Sequence, residues 1–392
     1  MITDKTVFIS LTGKNSHKIK IPAGQGSFSI GTRGISDGKY DVMVEPDKAI
    51  IWDSFNIYFT PLGARYNKLY TYGDWPRFFY YSGNDTGFIE WSNKRHIEDF
   101  HWFPKEDVCV DLSNSNISRL SIHTDNVRVC IKNIGENTSD LFLSGKLENF
   151  QIRECDKAPR LYLTPTPLED NTRSYTIPHF EKLSKATLVE INSSVVGSAF
   201  DCASLLQFQN IKNLNLTGRL INLEALSQLR FLETIGIRFS PDLTGFPHLK
   251  TWNNLKGFIG WNIEEIEGKR LKAELQALMA EKDLQYSSVS QLRKKGWFTT
   301  EYELPFSAWK GKLAKTAIKA YKTSLKEIKN AKTEKEVHDS IVSFLNVFNK
   351  LDGIETDERE DIGSAVEKLV TASSLDIPPE SWQDWFDSVR DF

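Results

Sequence analysis

An apolar pair whose members lie two residues apart recurs through the middle third of this chain. The pairs begin at Leu120, Leu141, Leu161, Leu214 and Ile235, so successive first members are 21, 20, 53 and 21 residues apart. Each pair turns two side chains to one side of a short strand, and one such strand cannot bury them alone. A period of roughly 20 residues is typical of a solenoid, in which stacked coils share a continuous core.

The repeat region changes character along its length. Further apolar pairs begin at Val129 and Phe150, between the main ones, and indicate two short strands per coil in the first half. In the second half leucines follow at three-residue spacing from Leu223 to Leu229, which suits leucine-rich coils with a 3₁₀ turn. We therefore predict a leucine-rich-repeat-like β-solenoid over residues 106–263.

The two flanks of the repeat follow other patterns. Residues 1–105 are dense in Trp, Phe and Tyr, and we predict a β-rich N-terminal domain that caps the first coil. From residue 264 the apolar spacing becomes helical, which predicts an α-helical bundle over 264–392. The predicted fold class is thus α+β multidomain, with a β-rich N-terminal domain, a leucine-rich-repeat-like β-solenoid and a C-terminal α-helical bundle.

Helix signals after the repeat can be placed more closely. The spacing predicts helices over 264–284 and 307–330, and a short one over 287–296. The sequence Thr333-Glu-Lys-Glu336 is a capping box that starts another helix.

Composition excludes several classes of function. The net charge is −3, so we expect no general attraction to nucleic acid or membranes, and no apolar run suggests a signal or a membrane span. We expect a cytoplasmic protein without cofactor or metal. The four cysteines, Cys109, Cys130, Cys155 and Cys202, form no C-x-x-C pair, and we expect thiols in the coils.

Two surfaces are candidate binding sites for a partner. The first is the outward side of the repeat strands, because residues that alternate with buried leucines point outward. Its candidate residues are Arg119, His123, Phe142, Gln151, Arg153, Tyr162, Asn215 and Arg238. The second is the acidic end of the helical region, where carboxylates could steer a basic partner, although acids also favour helix starts. Its candidate residues are Glu355, Asp357, Glu358, Asp361, Asp384 and Asp387.

The C-terminal residues carry a resemblance to a known family. The segments LDGIETDERED at 351–361 and WFDSVRDF at 385–392 resemble the C-terminal helical module of bacterial immunity proteins encoded beside polymorphic, Rhs-type toxins. The resemblance covers about the last 80 residues. It implies a cytoplasmic, non-enzymatic inhibitor that occludes the active site of a cognate toxin in a one-to-one complex. Toxins of nuclease or ADP-ribosyltransferase type are both compatible with it.

Two other functions stay open from the residues alone. A leucine-rich-repeat adaptor would use the same outward surface for several partners. An enzyme could assemble a site in the N-terminal domain from scattered groups such as Asp53, Asp74 and His101. No complete catalytic or nucleotide-binding motif accompanies these residues, and we predict no catalytic residue.

Overall fold

The structure, a computed structural model, describes residues 7–20, 26–57, 76–155, 157–306, 309 and 311–392. The chain divides into two compact units, Met1–Arg293 and Lys294–Phe392.

The first unit is built mainly from short strands. They are β1 Val7–Ile9, β2 His17–Ile19, β3 Ser27–Thr32, β4 Val42–Val44, β5 Phe78–Ser82, β6 Ile97–Phe103, β7 Val108–Val110, β8 Ile117–Thr124, β9 Val129–Ile131, β10 Asp140–Gly145, β11 Phe150–Ile152, β12 Arg160–Pro165, β13 Ser174–Tyr175, β14 Leu188–Asn192, β15 Ala199–Asp201, β16 Asn213–Thr217, β17 Leu220–Ile221, β18 Thr234–Arg238, β19 Gly257–Trp261 and β20 Tyr286–Ser290. Its α-helices are α1 Gly87–Lys94 and α2 Glu265–Glu281. Its 3₁₀ helices are Trp52–Ile57, Leu147–Asn149, Glu181–Leu183, Cys202–Gln207, Leu223–Gln228 and Leu249–Thr251.

Twelve of these strands form one parallel sheet. The order across it is β20-β19-β18-β16-β14-β12-β10-β8-β6-β5-β3-β4, and every neighbouring pair is parallel. β7, β9 and β11 form a second parallel sheet, and β13, β15 and β17 form a third. β1 and β2 pair antiparallel. Parallel neighbours need crossover connections, so the architecture is of the α/β type.

The predicted fold class is therefore wrong. A β-rich N-terminal domain followed by a leucine-rich-repeat-like solenoid would place a break near residue 105, whereas one sheet runs from β3 to β20 across that point. The strands on either side of it, β6 and β8, pair directly, with Phe100 opposite Leu120 and Trp102 opposite Ile122. The class that the structure supports is an α/β-type fold dominated by a large parallel sheet.

Aromatic pairs explain why the leucine repeat was not traced into the N-terminal strands β5 and β6. Phe79 and Tyr81 in β5 are opposite Phe100 and Trp102 in β6, with the same two-residue spacing as the leucine pairs. All four side chains are buried. Inside, Trp52 lies between Tyr81, Phe100 and other rings at centroid distances of 5.4 to 6.2 Å. The aromatic residues form one end of the core that the sheet shares.

The C-terminal edge of the sheet differs from the sequence prediction. The short helix expected over 287–296 is wrong, because Tyr286–Ser290 is the strand β20. Val289 is its one buried side chain and lies opposite Gly260 of β19, while Ser288 and Ser290 on either side are exposed. A single apolar residue among serines gives no clear two-residue alternation, so the strand was not recognisable.

Helix α2 precedes this edge strand and is tied to the rest of the unit. The carboxylate of Glu274 accepts a hydrogen bond from the Leu249 N–H at 3.0 Å and from Arg270 at 2.7 Å, and lies 2.6 Å from His248 Nδ1. Burial by itself raises the pKa of Glu274, but these hydrogen bonds outweigh burial and lower the pKa below its usual value.

A tight backbone approach occurs at the end of β10. Gly145 has φ +92°, in the region that favours glycine, and a Cβ atom there would lie 1.9 Å from the carbonyl oxygen of Thr124 in β8. Alanine cannot occupy this site without moving the neighbouring strand.

The cysteines differ from the expectation of free thiols. Cys109 of β7 lies directly opposite Cys130 of β9, and the two are joined in a disulfide. Cys155 Sγ lies 3.3 Å from the carbonyl oxygen of Lys157. Cys202 is a free thiol, and burial raises its pKa far above its ordinary value.

The second unit is helical. Its helices are α3 Trp297–Thr300, α4 Gly311–Asn330, α5 Glu334–Phe348, α6 Thr356–Thr371 and α7 Pro379–Val389. The capping box at the start of α5 is present, since Thr333 Oγ1 accepts from the Glu336 N–H and the Glu336 carboxylate accepts from the Thr333 N–H. Phe306, Phe344 and Phe348 lie in a core separate from that of the sheet. Within the described residues, no helix has the length and apolar character needed to cross a membrane.

Candidate functional site

The large sheet has one buried face and one face in contact with solvent. Leu120, Leu141 and Leu161 are fully buried, while the residues that alternate with them remain partly exposed, except the buried Asp140. We call the outward side chains of β5, β6, β8, β10, β12, β14, β16, β18 and β19 the sheet face. Because the strands are parallel and in register, these side chains form rows that cross the sheet.

The sheet face contains six of the eight repeat residues predicted to bind a partner. They are Arg119 and His123 on β8, Phe142 on β10, Tyr162 on β12, Asn215 on β16 and Arg238 on β18. The other two lie elsewhere. Gln151 belongs to β11 in a three-stranded sheet, and Arg153 follows that strand. The two-residue spacing gives the direction of a side chain but does not say which sheet its strand joins.

Alternating charges form one row of the sheet face. Asp99, Arg119, Asp140 and Arg160 lie opposite one another on β6, β8, β10 and β12. Arg119 pairs with Asp99 at 2.9 Å, and Arg160 donates to Asp140 at 2.5 Å. The hydrogen bond that Arg160 donates to the Asp140 carboxylate raises the pKa of Arg160, so this guanidinium stays charged and oriented. Ion pairs between neighbouring strands hold both arginines in place on the surface.

Stacked rings form the adjacent row. Phe142 and Tyr162 lie opposite each other and stack with ring centroids 4.1 Å apart and planes within 11°. Tyr80 and His101 stack in the same way at 4.4 Å. Burial, and next the carboxylate of Asp140, raise the pKa of Tyr162, so its hydroxyl remains a hydrogen-bond donor at neutral pH. Partly exposed aromatic side chains beside arginines have the composition of a binding hot spot.

A chain of three hydrogen-bonding groups lies on the third row. His123 Nδ1 is 2.9 Å from Ser144 Oγ, and His123 Nε2 is 3.2 Å from Asp125 Oδ2. These are the residue types of a hydrolytic triad. In that triad the histidine Nε2 faces the serine and Nδ1 faces the carboxylate, whereas here Nδ1 faces Ser144 and Nε2 faces Asp125. The Asp125 side chain is 59% exposed, so water screens its charge and weakens any stabilisation of a protonated imidazole.

An arginine and two aromatic residues meet near the carboxyl ends of β18 and β19. Arg238 is exposed and lies opposite Trp261, whose ring contacts Phe239 edge to face at 4.8 Å. Phe239 has φ +49°, an uncommon conformation for a bulky residue and one that costs about 1–3 kcal/mol. Arg238 was predicted from the sequence, but Phe239 and Trp261 were not. No residue pattern indicates that Phe239 adopts a positive φ.

The acidic candidates separate into structural and free carboxylates. Glu355 and Glu358 start α6, where the Glu355 N–H donates to the Glu358 carboxylate at 3.1 Å, and Asp361 accepts from Trp309 Nε1 at 2.8 Å. Asp387 pairs with Arg390 at 2.8 Å. Asp357 and Asp384 are exposed and form no ion pair within the described residues. Four of the six predicted acidic residues thus have hydrogen-bond or ion-pair partners within the helical unit.

The enzymatic alternative in the N-terminal region receives little geometric support. Asp53 pairs with Lys94 at 3.2 Å, and His101 lies 3.1 Å from Asp99 on the sheet face. Asp74 falls outside the described residues. Among the described residues, no cluster of three or more His, Cys, Asp or Glu side chains could hold a metal ion.

The chain was compared with protein-family models, curated proteins and solved structures, and none of the three comparisons gave a match.

Proposed function

We propose that this chain is an immunity protein that binds a cognate toxin enzyme in the cytoplasm and covers its active site. It acts by protein–protein contact, in a one-to-one complex, without a cofactor or a reaction of its own. The resemblance at 351–361 and 385–392 supports the class of partner. The sheet face supports the mode of action.

The observation that carries the binding function is the half-exposed stack of Phe142 on Tyr162, next to the ion-paired Arg119 and Arg160. Stacked rings and paired guanidinium groups are held in position before the partner arrives, so little side-chain entropy is lost on binding. Tyrosine and arginine are also the residues that most often dominate binding energy once a partner excludes water.

The free carboxylates supply a second contribution. Exposed Asp357 and Asp384 would attract a basic toxin surface and accelerate association, and added salt would screen that attraction. In this division of roles, the aromatic row of the sheet face sets the dissociation rate, because mutations at buried hot spots act mainly on dissociation.

The proposal is tested by purification of the tagged full-length chain from its native host and identification of the proteins that co-purify with it. We expect one dominant partner, a one-to-one ratio by calorimetry, a dissociation constant near 10⁻⁹ M and loss of toxin activity in the complex. A set of several weak partners would instead support the adaptor function and contradict immunity.

One observation favours a second function, hydrolysis. The Ser144–His123–Asp125 chain could raise the nucleophilicity of the Ser144 hydroxyl by removing its proton. A fluorophosphonate probe measures this directly. We expect no labelling of Ser144, and labelling that disappears in the Ser144→Ala variant would overturn the non-enzymatic proposal.

A further inference from the structure

One face of α4 is entirely basic. Its lysines follow at steps of 3, 4, 3, 4 and 3 residues and therefore lie in a single line about 25 Å long. They are Lys312, Lys315, Lys319, Lys322, Lys326 and Lys329. All six are exposed, and none forms an ion pair with another residue in the described part of the chain. We call this line the lysine stripe.

An apolar groove borders the lysine stripe. It lies between α4 and α5, has a volume of about 310 Å³, and takes in Ala320 from α4 and Phe344 and Val347 from α5. Lys319 belongs to both the stripe and the groove. At one end Ser340 donates a hydrogen bond to Glu327 at 2.8 Å, so that carboxylate already has a partner.

The groove has the dimensions of a site for a helix. Its lining runs along α4 from Thr316 to Glu327, roughly 16 Å or three helical turns. α6 packs against α4 and α7 packs against α5, but neither contributes to the groove lining, so the α4–α5 groove is open to a further helix. An amphipathic helix binds such a groove through apolar residues at i, i+3, i+4 and i+7.

The charge beside the groove determines which kind of partner helix fits it. The groove floor is apolar, and its lining contains one lysine, Lys319, and one carboxylate, that of Glu327. The other five lysines of the stripe continue along α4 beside the groove, so positive charge predominates on this side. A helix with an apolar face and glutamates or aspartates beside it satisfies both surfaces at once. A polyanion without an apolar face would leave the partly exposed Ala320 and Val347 uncovered, and a basic helix would be repelled.

We propose that the α4–α5 groove binds an acidic amphipathic helix, about three turns long, of a partner protein. The inference rests on the second unit alone and does not depend on the sheet face or on the identity of a toxin. The net charge of −3 for the whole chain does not describe α4, where six lysines lie in one line. The expectation drawn from the net charge therefore does not extend to this helix.

The test uses the full-length chain and a defined probe. The probe is a fluorescent, terminally blocked peptide of about 14 residues, with leucines at i, i+3, i+4 and i+7 and glutamates elsewhere. Fluorescence anisotropy measures binding to three forms of the protein: wild type, a groove variant Thr323→Glu, and a stripe variant K315E/K319E/K322E. Thr323 is exposed, so its substitution leaves the core of the unit intact.

We expect saturable binding to the wild type and about tenfold or greater weakening in both variants. A matched control, K157E/K185E/K272E, reverses three exposed lysines outside this unit and should leave binding unchanged. Four results would overturn the proposal: no binding to the wild type, equal binding of a peptide with lysine in place of glutamate, weakening by the stripe variant alone, or equal binding of duplex DNA. Either of the last two results would identify a general anion surface.

Discussion

Replacement of Phe100 by alanine tests whether the N-terminal strands share one core with the repeat. Phe100 is fully buried in β6, stacks on Phe88 at 4.2 Å, and lies opposite Phe79 of β5 and Leu120 of β8. Truncation of a buried phenylalanine costs about 3–5 kcal/mol, because transfer energy is lost and a cavity remains. We therefore expect about 4 kcal/mol of destabilisation around this strand.

Hydrogen exchange measured by mass spectrometry shows which strands are destabilised by the Phe100→Ala substitution. At about 1.4 kcal/mol per tenfold change, amides that open together with β6 should exchange roughly 1,000 times faster. In a continuous sheet the effect crosses residue 105 and reaches β8 and β10, since each strand is stabilised by its neighbours. Phe231→Ala serves as the control, because this side chain is 54% exposed and its loss should change exchange little.

One result would refute the continuous sheet. If exchange accelerates in β5 and β6 while β8 and β10 keep wild-type rates, the N-terminal strands form an independent domain. An equal response to Phe231→Ala would show that the effect is not specific to the core.

Further predictions concern single sites. Gly145→Ala should cost about 1–3 kcal/mol in urea unfolding through backbone strain and a clash with the next strand, whereas Gly296→Ala, at an open site with ordinary φ, should be neutral. Thr333→Ala should cost the second unit about 1 kcal/mol in thermal unfolding, because a helix N-cap is lost. The pKa of Glu274 is lower in the folded state than in the unfolded state. Glu274 therefore contributes its full stabilisation above its unfolded-state pKa, and this contribution is lost as the pH falls through its folded-state pKa. Glu274→Gln should flatten the acid side of a stability–pH curve, and an unchanged slope would contradict this. Asp357→Lys should slow toxin association at low salt and leave dissociation unchanged in stopped-flow measurements.

The repeat strands were predictable because their apolar pairs obey a simple rule. Leu141 and Leu161, for example, are fully buried and directly opposite each other. The same rule applied to Phe79 and Phe100 would have extended the sheet toward the N-terminus, but aromatic density suggested an independent core. Local spacing describes which side of a strand is buried, and it does not determine how far a sheet continues.

The candidate site was predictable only in part, for a similar reason. Phe142 and Tyr162 follow from alternation, because neighbours of buried residues must point outward. Gln151 follows from the same rule and yet lies on another sheet, since the path of the crossover connection decides which strands pair. Phe239 was not predicted, because it follows β18 with a positive φ that residue spacing does not indicate.

A comparison of two double variants tests the central claim, that the sheet face binds the partner. F142A/Y162A removes the stack on the sheet face, and Q151A/R153A removes two exposed residues elsewhere in the same stretch of sequence. The measurement is the dissociation constant, by calorimetry, of the partner that co-purifies with the full-length chain. We predict about tenfold or greater weakening for the first variant and no change for the second. Equal affinities for both variants, or weakening by the second alone, would contradict binding through the sheet face.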